Sequence, residues 1–93
     1  MIRSFRDPVA ERFFREGQCP AQWRSFENVA RRKLDMLDAA TSLIDLRSPP
    51  GNRLEALKGK RAGQHSIRIN DQYRICFRWS DEGPADVEIV DYH

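Results

Sequence analysis

The stretch "IVDYH" closes the sequence: two apolar residues followed by Asp91, Tyr92 and His93. An imidazole takes up and releases protons near neutral pH, so His93 is a natural proton-transfer group. Asp91 can orient that ring, and the ring of Tyr92 can stack on an unpaired base. Upstream, Arg68, Arg74 and Arg78 supply planar guanidinium forks that suit phosphate oxygens. These residue types together match single-stranded RNA, which brings its own nucleophile. A 2′-hydroxyl attacks the adjacent phosphate when one group removes its proton, a second protonates the departing 5′-oxygen, and cations stabilise the charge that develops. In that scheme His93 moves a proton while Arg68 and Arg74 hold the pentavalent phosphate, with no metal required. Chain ends usually fray, so the chemistry depends on a strand that pins residues 87 to 93.

The strands follow from a change of period after residue 64. In "HSIRIN" Ile67 and Ile69 share a face, and in "YRICFRW" so do Tyr73, Ile75, Phe77 and Trp79. Ser66, Arg68, Arg74, Cys76 and Arg78 take the opposite side. A three-residue loop, "NDQ", pairs Arg68 with Arg74 and keeps the two faces distinct, whereas a two-residue loop would mix them. "SDEGPAD" reads as a turn and "VEIVDYH" as the last strand. Val87 and Ile89 then fall on the covered face, with Glu88, Val90 and Tyr92 on the arginine side.

Ahead of these strands the pattern is helical. "IRSF", residues 2 to 5, alternates like a short strand. Asp7 and Pro8 form a helix start, and Gly17 can take the left-handed conformation that ends one, which predicts a helix over 8–16. From Phe26 the apolar positions recur as Phe26, Val29, Ala30, Leu34, Leu37 and Ala40, a second helix with Ser25 as its expected cap. "GQCPAQWRS" joins the two as a short loop, "TSLIDL" adds a turn of helix, and "RSPPGN" must be loop. The fold class is α+β: an N-terminal strand and a helical hairpin packed on one face of a small antiparallel sheet, in one domain over residues 1–93.

Composition narrows the function classes. With 32% charged and 40% hydrophobic residues the chain is globular, and every window of eight contains a charge, which excludes an apolar membrane span or signal region. The cytoplasm is the default location. Cys19 and Cys76 lie far apart without CxxC spacing and read as free thiols. Two histidines without ligand spacing argue against structural zinc, and no glycine-rich phosphate loop, GxSxG elbow or HExxH helix is present, so no cofactor is expected. The overall charge of +2 conceals an asymmetry: residues 53–78 hold seven basic side chains against two acidic ones, a net of +5, while residues 79–93 carry five acids and no Lys or Arg. That imbalance points to a polyanionic partner, with Arg53, Lys58, Lys60, Arg61 and Arg78 as candidate RNA contacts.

Each of these residues also has a plain structural use. A terminal His93 can be solvated, Tyr92 can pack on a strand, and arginines alternating along strands are what the wet face of a sheet carries. Lys58, Lys60 and Arg61 suit a solvated loop. His65, on the apolar parity, reads as a half-buried, hydrogen-bonded residue. Trp23 and Trp79 read as core or partner contacts.

"GNRLEALKGKRAGQHSIRINDQYRICFRW" followed by "VEIVDYH" resembles the HigB-type toxins of the RelE/ParE superfamily, and the likeness extends to "IRSFRD" and "ERFFREG" at the front. The resemblance implies a microbial-ribonuclease-like fold and a metal-free activity that cuts messenger RNA at the decoding site of the ribosome. It also implies a cognate HigA-like antitoxin carrying a helix-turn-helix domain, which neutralises the toxin and represses the shared operon, so that operator DNA is bound only by the complex. The matching Asp91, Tyr92 and His93 are linked by it to catalysis, and Lys58, Arg61, Arg68 and Arg74 to RNA. One departure stands out: where some relatives place a histidine before "LKG", this chain has Glu55. Glu55 and Asp91 are both candidate general bases, and Glu55, flanked by Arg53 and Lys58, is equally an ion-pair partner. The same superfamily fold also serves ParE-like poisons of DNA gyrase, and a binding module acting only with its antitoxin as repressor is a third reading.

Overall fold

The computed structural model describes residues 1–91; Tyr92 and His93 lie outside the described residues. Helix α1, Pro8–Glu16, starts and stops where its punctuation dictates. Asp7 Oδ1 accepts from Val9 N at 2.9 Å, Pro8 occupies the first turn, and Gly17 closes the helix in the left-handed region at φ 75°. Helix α2, Glu27–Ala39, begins later than its apolar period suggests, because Ala21–Phe26 forms a 3₁₀ turn that runs into it. Ser25 is therefore inside that turn and caps nothing, a correction to the expected start.

The sheet has the order β1-β2-β3-β4, all antiparallel: β1 Glu55–Ala56, β2 His65–Arg68, β3 Tyr73–Ser80 and β4 Gly83–Asp91. The register between β2 and β3 is the one the alternation demands, with Arg68 opposite Arg74 and Ile67 opposite Ile75. Strand β1 is too short to show a period and was not expected. The N-terminal segment, read as a strand, joins the far edge through a single parallel bridge, Phe5 to Val87, supported by Arg6 N donating to the Val87 carbonyl at 2.9 Å.

The expected seven-residue turn "SDEGPAD" is corrected by the structure. β3 runs on to Ser80 and β4 already begins at Gly83, leaving only Asp81 and Glu82 between them. Two features make this workable. Gly83 sits at φ 123°, and a Cβ there would lie 2.6 Å from the Met1 carbonyl oxygen. A bulge places two β4 residues, Asp86 and Val87, against Phe77, with Asp86 at φ 52°. The extra residue resets the parity, so that Pro84 and Val87, three apart, are both fully buried.

The helices and the apolar sheet face close on one core. Phe13, Ala30, Leu34, Leu37, Ile67, Ile75, Phe77 and Val87 are wholly buried. Each large apolar side chain hidden this way contributes about 1.5–3 kcal/mol. Trp23 belongs to this core, edge-on to Phe13 at 5.7 Å, and Trp79 packs partly against it. The Phe26 ring lies 4.7 Å from that of Tyr73, fastening the start of α2 to the start of β3. Among the described residues, no helix is long and apolar enough to cross a membrane.

After α2 the chain makes a 3₁₀ turn, Leu43–Arg47, closed by a capping box in which the Asp45 carboxylate accepts from Thr41 N at 3.0 Å and Ser42 N at 3.2 Å. These bonds, the Thr41 amide foremost, hold the Asp45 carboxyl below its ordinary value of 3.8. The anion is favoured in the folded state, so its stabilisation is complete above pH 3.8 and disappears as pH falls through the lowered folded value. Asp45→Ala is therefore expected to melt below the parent at neutral pH, with the gap narrowing as thermal melts are repeated at progressively more acid pH. A gap that stays constant as pH falls from 3.8 through the lowered folded value would contradict the assignment.

Candidate functional site

The arginine face is built on two cross-strand rows. One runs Glu55, Ser66, Cys76, Glu88 and the next Arg68, Arg74, Val90, each set by the pairing of neighbouring strands. This face is less open than alternation alone implies. Ser66 and Cys76 are completely buried, and burial raises the Cys76 thiol above its usual range. Both cysteines are free, as the spacing led us to expect.

Arg74 is the centre of the arrangement, with only 12% of its side chain exposed. Its Nε donates to Ser66 Oγ at 2.8 Å and its Nη2 to the Arg53 carbonyl at 2.7 Å. The Glu55 carboxylate stands 3.7 Å from the same Nη2. A guanidinium gripped along one edge loses little further freedom when it meets an anion, which is the preorganisation a developing charge requires. Arg68, across the ladder, is half-buried and ion-paired with Asp71 in the hairpin loop.

The other basic candidates divide into two sets. Arg53, Lys58 and Lys60 are exposed and, among the described residues, their side chains form no ion pair. Arg61 instead donates to Glu88 Oε2 at 3.2 Å and to Gln64 Oε1 at 3.1 Å, and Arg78 lies 3.6 Å from Asp86. The charge imbalance read along the chain is thus partly cancelled in space, because antiparallel pairing folds the acidic β4 back beside the basic segment. Arg6 joins Glu88 from the N-terminus at 3.8 Å.

The carboxylate candidates are not equivalent. Glu55 touches Arg74, whereas Asp91 stands opposite Tyr73, on the parity that faces the helices, and its Oδ2 accepts from Gln72 Nε2 at 3.0 Å. Tyr92 and His93, the remaining catalytic candidates, fall outside the described residues. Among the described residues no group of three or more His, Cys, Asp or Glu side chains could hold a metal ion.

Two features went unread in the sequence. Ser66, assigned only to the wet side, is a buried acceptor for Arg74. Its signal was a small hydroxyl on the same strand face as Arg68 and Arg74. The second is the setting of His65: it is half-buried, as its parity implies, and stacks on Phe77 at 6.3 Å, but its Nδ1 is buried without a hydrogen-bond partner among the described residues, unlike the hydrogen-bonded residue expected. His65 lines a cleft of about 200 Å³ with Leu43, Ile44, Arg47, Leu54 and Ala56, which is distinct from the Arg74 cluster.

Comparison with known proteins agrees with this architecture. A family model described as the RelE-like toxin of type II toxin–antitoxin system HigB matches residues 3–93. Toxin HigB-1 of Vibrio cholerae is 45% identical over 85 residues, covering 87% of this chain and 86% of that protein. An uncharacterised protein of Haemophilus influenzae is 41% identical over 78 residues, covering 83% and 77%. Among solved structures, the YoeB–YefM complex from Staphylococcus aureus superposes with a TM-score of 0.62 at 18% identity, over 100% of this chain and 98% of that one, a likeness of fold.

Proposed function

The chain belongs to the HigB-like family of RelE-like toxins from type II toxin–antitoxin systems, and from that premise we propose that it is a metal-independent endoribonuclease that cuts messenger RNA on the ribosome and so stops translation. The observation that carries this reading is the gripped Arg74 guanidinium with a carboxylate beside it, a cation preset for phosphate next to a potential base.

In the proposed reaction Glu55 removes the proton from a ribose 2′-hydroxyl, and the oxygen attacks the adjacent phosphorus. Arg74 and Arg68 stabilise the charge on the pentavalent phosphate. His93 delivers a proton to the departing 5′-oxygen, leaving a 2′,3′-cyclic phosphate and a 5′-hydroxyl. Contact of Glu55 with Arg74 supports it over Asp91 as the base, and leaves Asp91 a role in positioning the end of β4. Tyr92 is assigned to stacking on a base of the message. Lys58, Lys60 and Arg53 supply point charges for the RNA backbone, with Arg61 and Arg78 joining at the cost of their carboxylate partners.

The proposed setting is the cytoplasm, in one domain spanning the chain. Its partners are the ribosome and message, and a HigA-like antitoxin with a helix-turn-helix domain, operator DNA being bound by the complex. Primer extension on transcripts from cells expressing the protein is expected to show breaks within reading frames that vanish when translation is blocked. Intact transcripts accompanied by a DNA-damage response would replace this reading with a gyrase poison.

A further inference from the structure

We infer that Asn52, a wholly buried residue, is a positioning residue for Arg74, acting through the backbone of Arg53. The inference rests on the cleavage reading for its consequence and on geometry for its substance. Asn52 is wholly buried, and both ends of its amide are used. Its Nδ2 donates to the carbonyls of Leu46 at 3.1 Å and Ser48 at 3.3 Å and meets Met36 Sδ at 3.1 Å, while its Oδ1 accepts from Lys33 Nζ.

Lys33 is itself buried on α2, and burial, reinforced by nearby Arg32 and Arg68, lowers its pKa. A buried ammonium bonded to a buried amide is an expensive way to secure a loop that apolar packing could hold. The next residue suggests what the arrangement serves. Arg53 sits at φ 45°, ψ 56°, left-handed and unfavourable for a side chain with a Cβ, although Gly51 lies two positions earlier and does not take that conformation. Such strain persists only where the surroundings over-determine it. Here the Asn52 amide N–H donates to the Pro49 carbonyl at 2.9 Å and the Arg53 N–H to the Pro50 carbonyl at 3.1 Å, so the backbone leading into Arg53 is fixed. The result is a carbonyl at Arg53 aimed at Arg74 Nη2, 2.7 Å away. The relay runs from α2 through Lys33, Asn52 and the Arg53 carbonyl to the guanidinium.

Positioning errors on the scale of 1 Å cost up to about 10²-fold in rate. Asn52→Ala in the full chain is therefore expected to slow single-turnover cleavage on programmed ribosomes about tenfold or more, with the half-saturating ribosome concentration unchanged within about twofold. The direct readout is the ¹⁵Nε–Hε resonance of Arg74, assigned with Arg74→Lys, which should shift or broaden in the Asn52 variant while amide resonances of β3 and β4 distant from the loop stay in place. A folded variant with the parent's rate constant and an unmoved Arg74 resonance would overturn the inference. If Asn52→Ala does not fold, the decision passes to Lys33→Met, which frees Asn52 Oδ1 at nearly constant volume and is judged by the same two readouts. A parent chain that cuts no RNA would fell the cleavage reading, and the Arg74 resonance alone would then decide the positioning.

Discussion

Arg74→Ala is expected to reduce single-turnover cleavage by about 10²–10³-fold, the usual effect of deleting one preorganised charge stabiliser. The loss should fall on the rate constant more than on ribosome affinity, because the proposed RNA contacts, the exposed Lys58, Lys60 and Arg53, are left in place. Arg74→Lys keeps the charge but cannot span Ser66 Oγ and the Arg53 carbonyl as a fork does. It should therefore recover only a small part of the activity. Truncation also strands the buried Ser66 hydroxyl, at about 1–3 kcal/mol, so melting temperatures must accompany the kinetics. Cells growing poorly on a folded Arg74→Ala protein, with transcripts cut as before, would refute the role.

The second large effect is expected at the end of the chain. His93→Ala should lower the cleavage rate constant by about 10²–10⁴-fold, the contribution of a positioned general acid. The pH profile separates this from lost contacts. In the parent, the rate should decline as pH rises and the imidazole loses its proton, whereas in His93→Ala that decline should be absent. Paired variants then address the base: Glu55→Gln is expected to cost far more rate than Asp91→Asn, since it is Glu55 that stands beside Arg74. A profile that keeps its alkaline decline in His93→Ala would transfer the acid role to another group.

What could be read directly from residues was local. Asp7, Pro8 and Gly17 act on amides and carbonyls within a turn of themselves, and α1 has the expected bounds. Alternation in β2 and β3 fixes the partner residues once one face must be buried, so the pairing of Arg68 with Arg74 follows from side-chain parity and loop length alone. The basic composition of the site and the terminal Asp-Tyr-His were visible for the same reason: residue types need no folding to be seen.

Tertiary structure decided what those residues touch. Lys33 lies in the apolar stripe of α2 between Ala30 and Leu37, and only the loop carrying Asn52 explains a buried cation there. Ser66 became an acceptor for Arg74 only through the pairing of β2 with β3, which sets the two side chains on one face of adjacent strands. The pairing of Arg61 and Arg78 with Glu88 and Asp86, and the separation of Glu55 from Asp91, depend on which segments the sheet brings together and on a bulge no local signal announces. Caps and periods are short-range forces acting on neighbours in sequence, while the burial of a polar group and its partner are set by distant chain segments that meet only when the core forms.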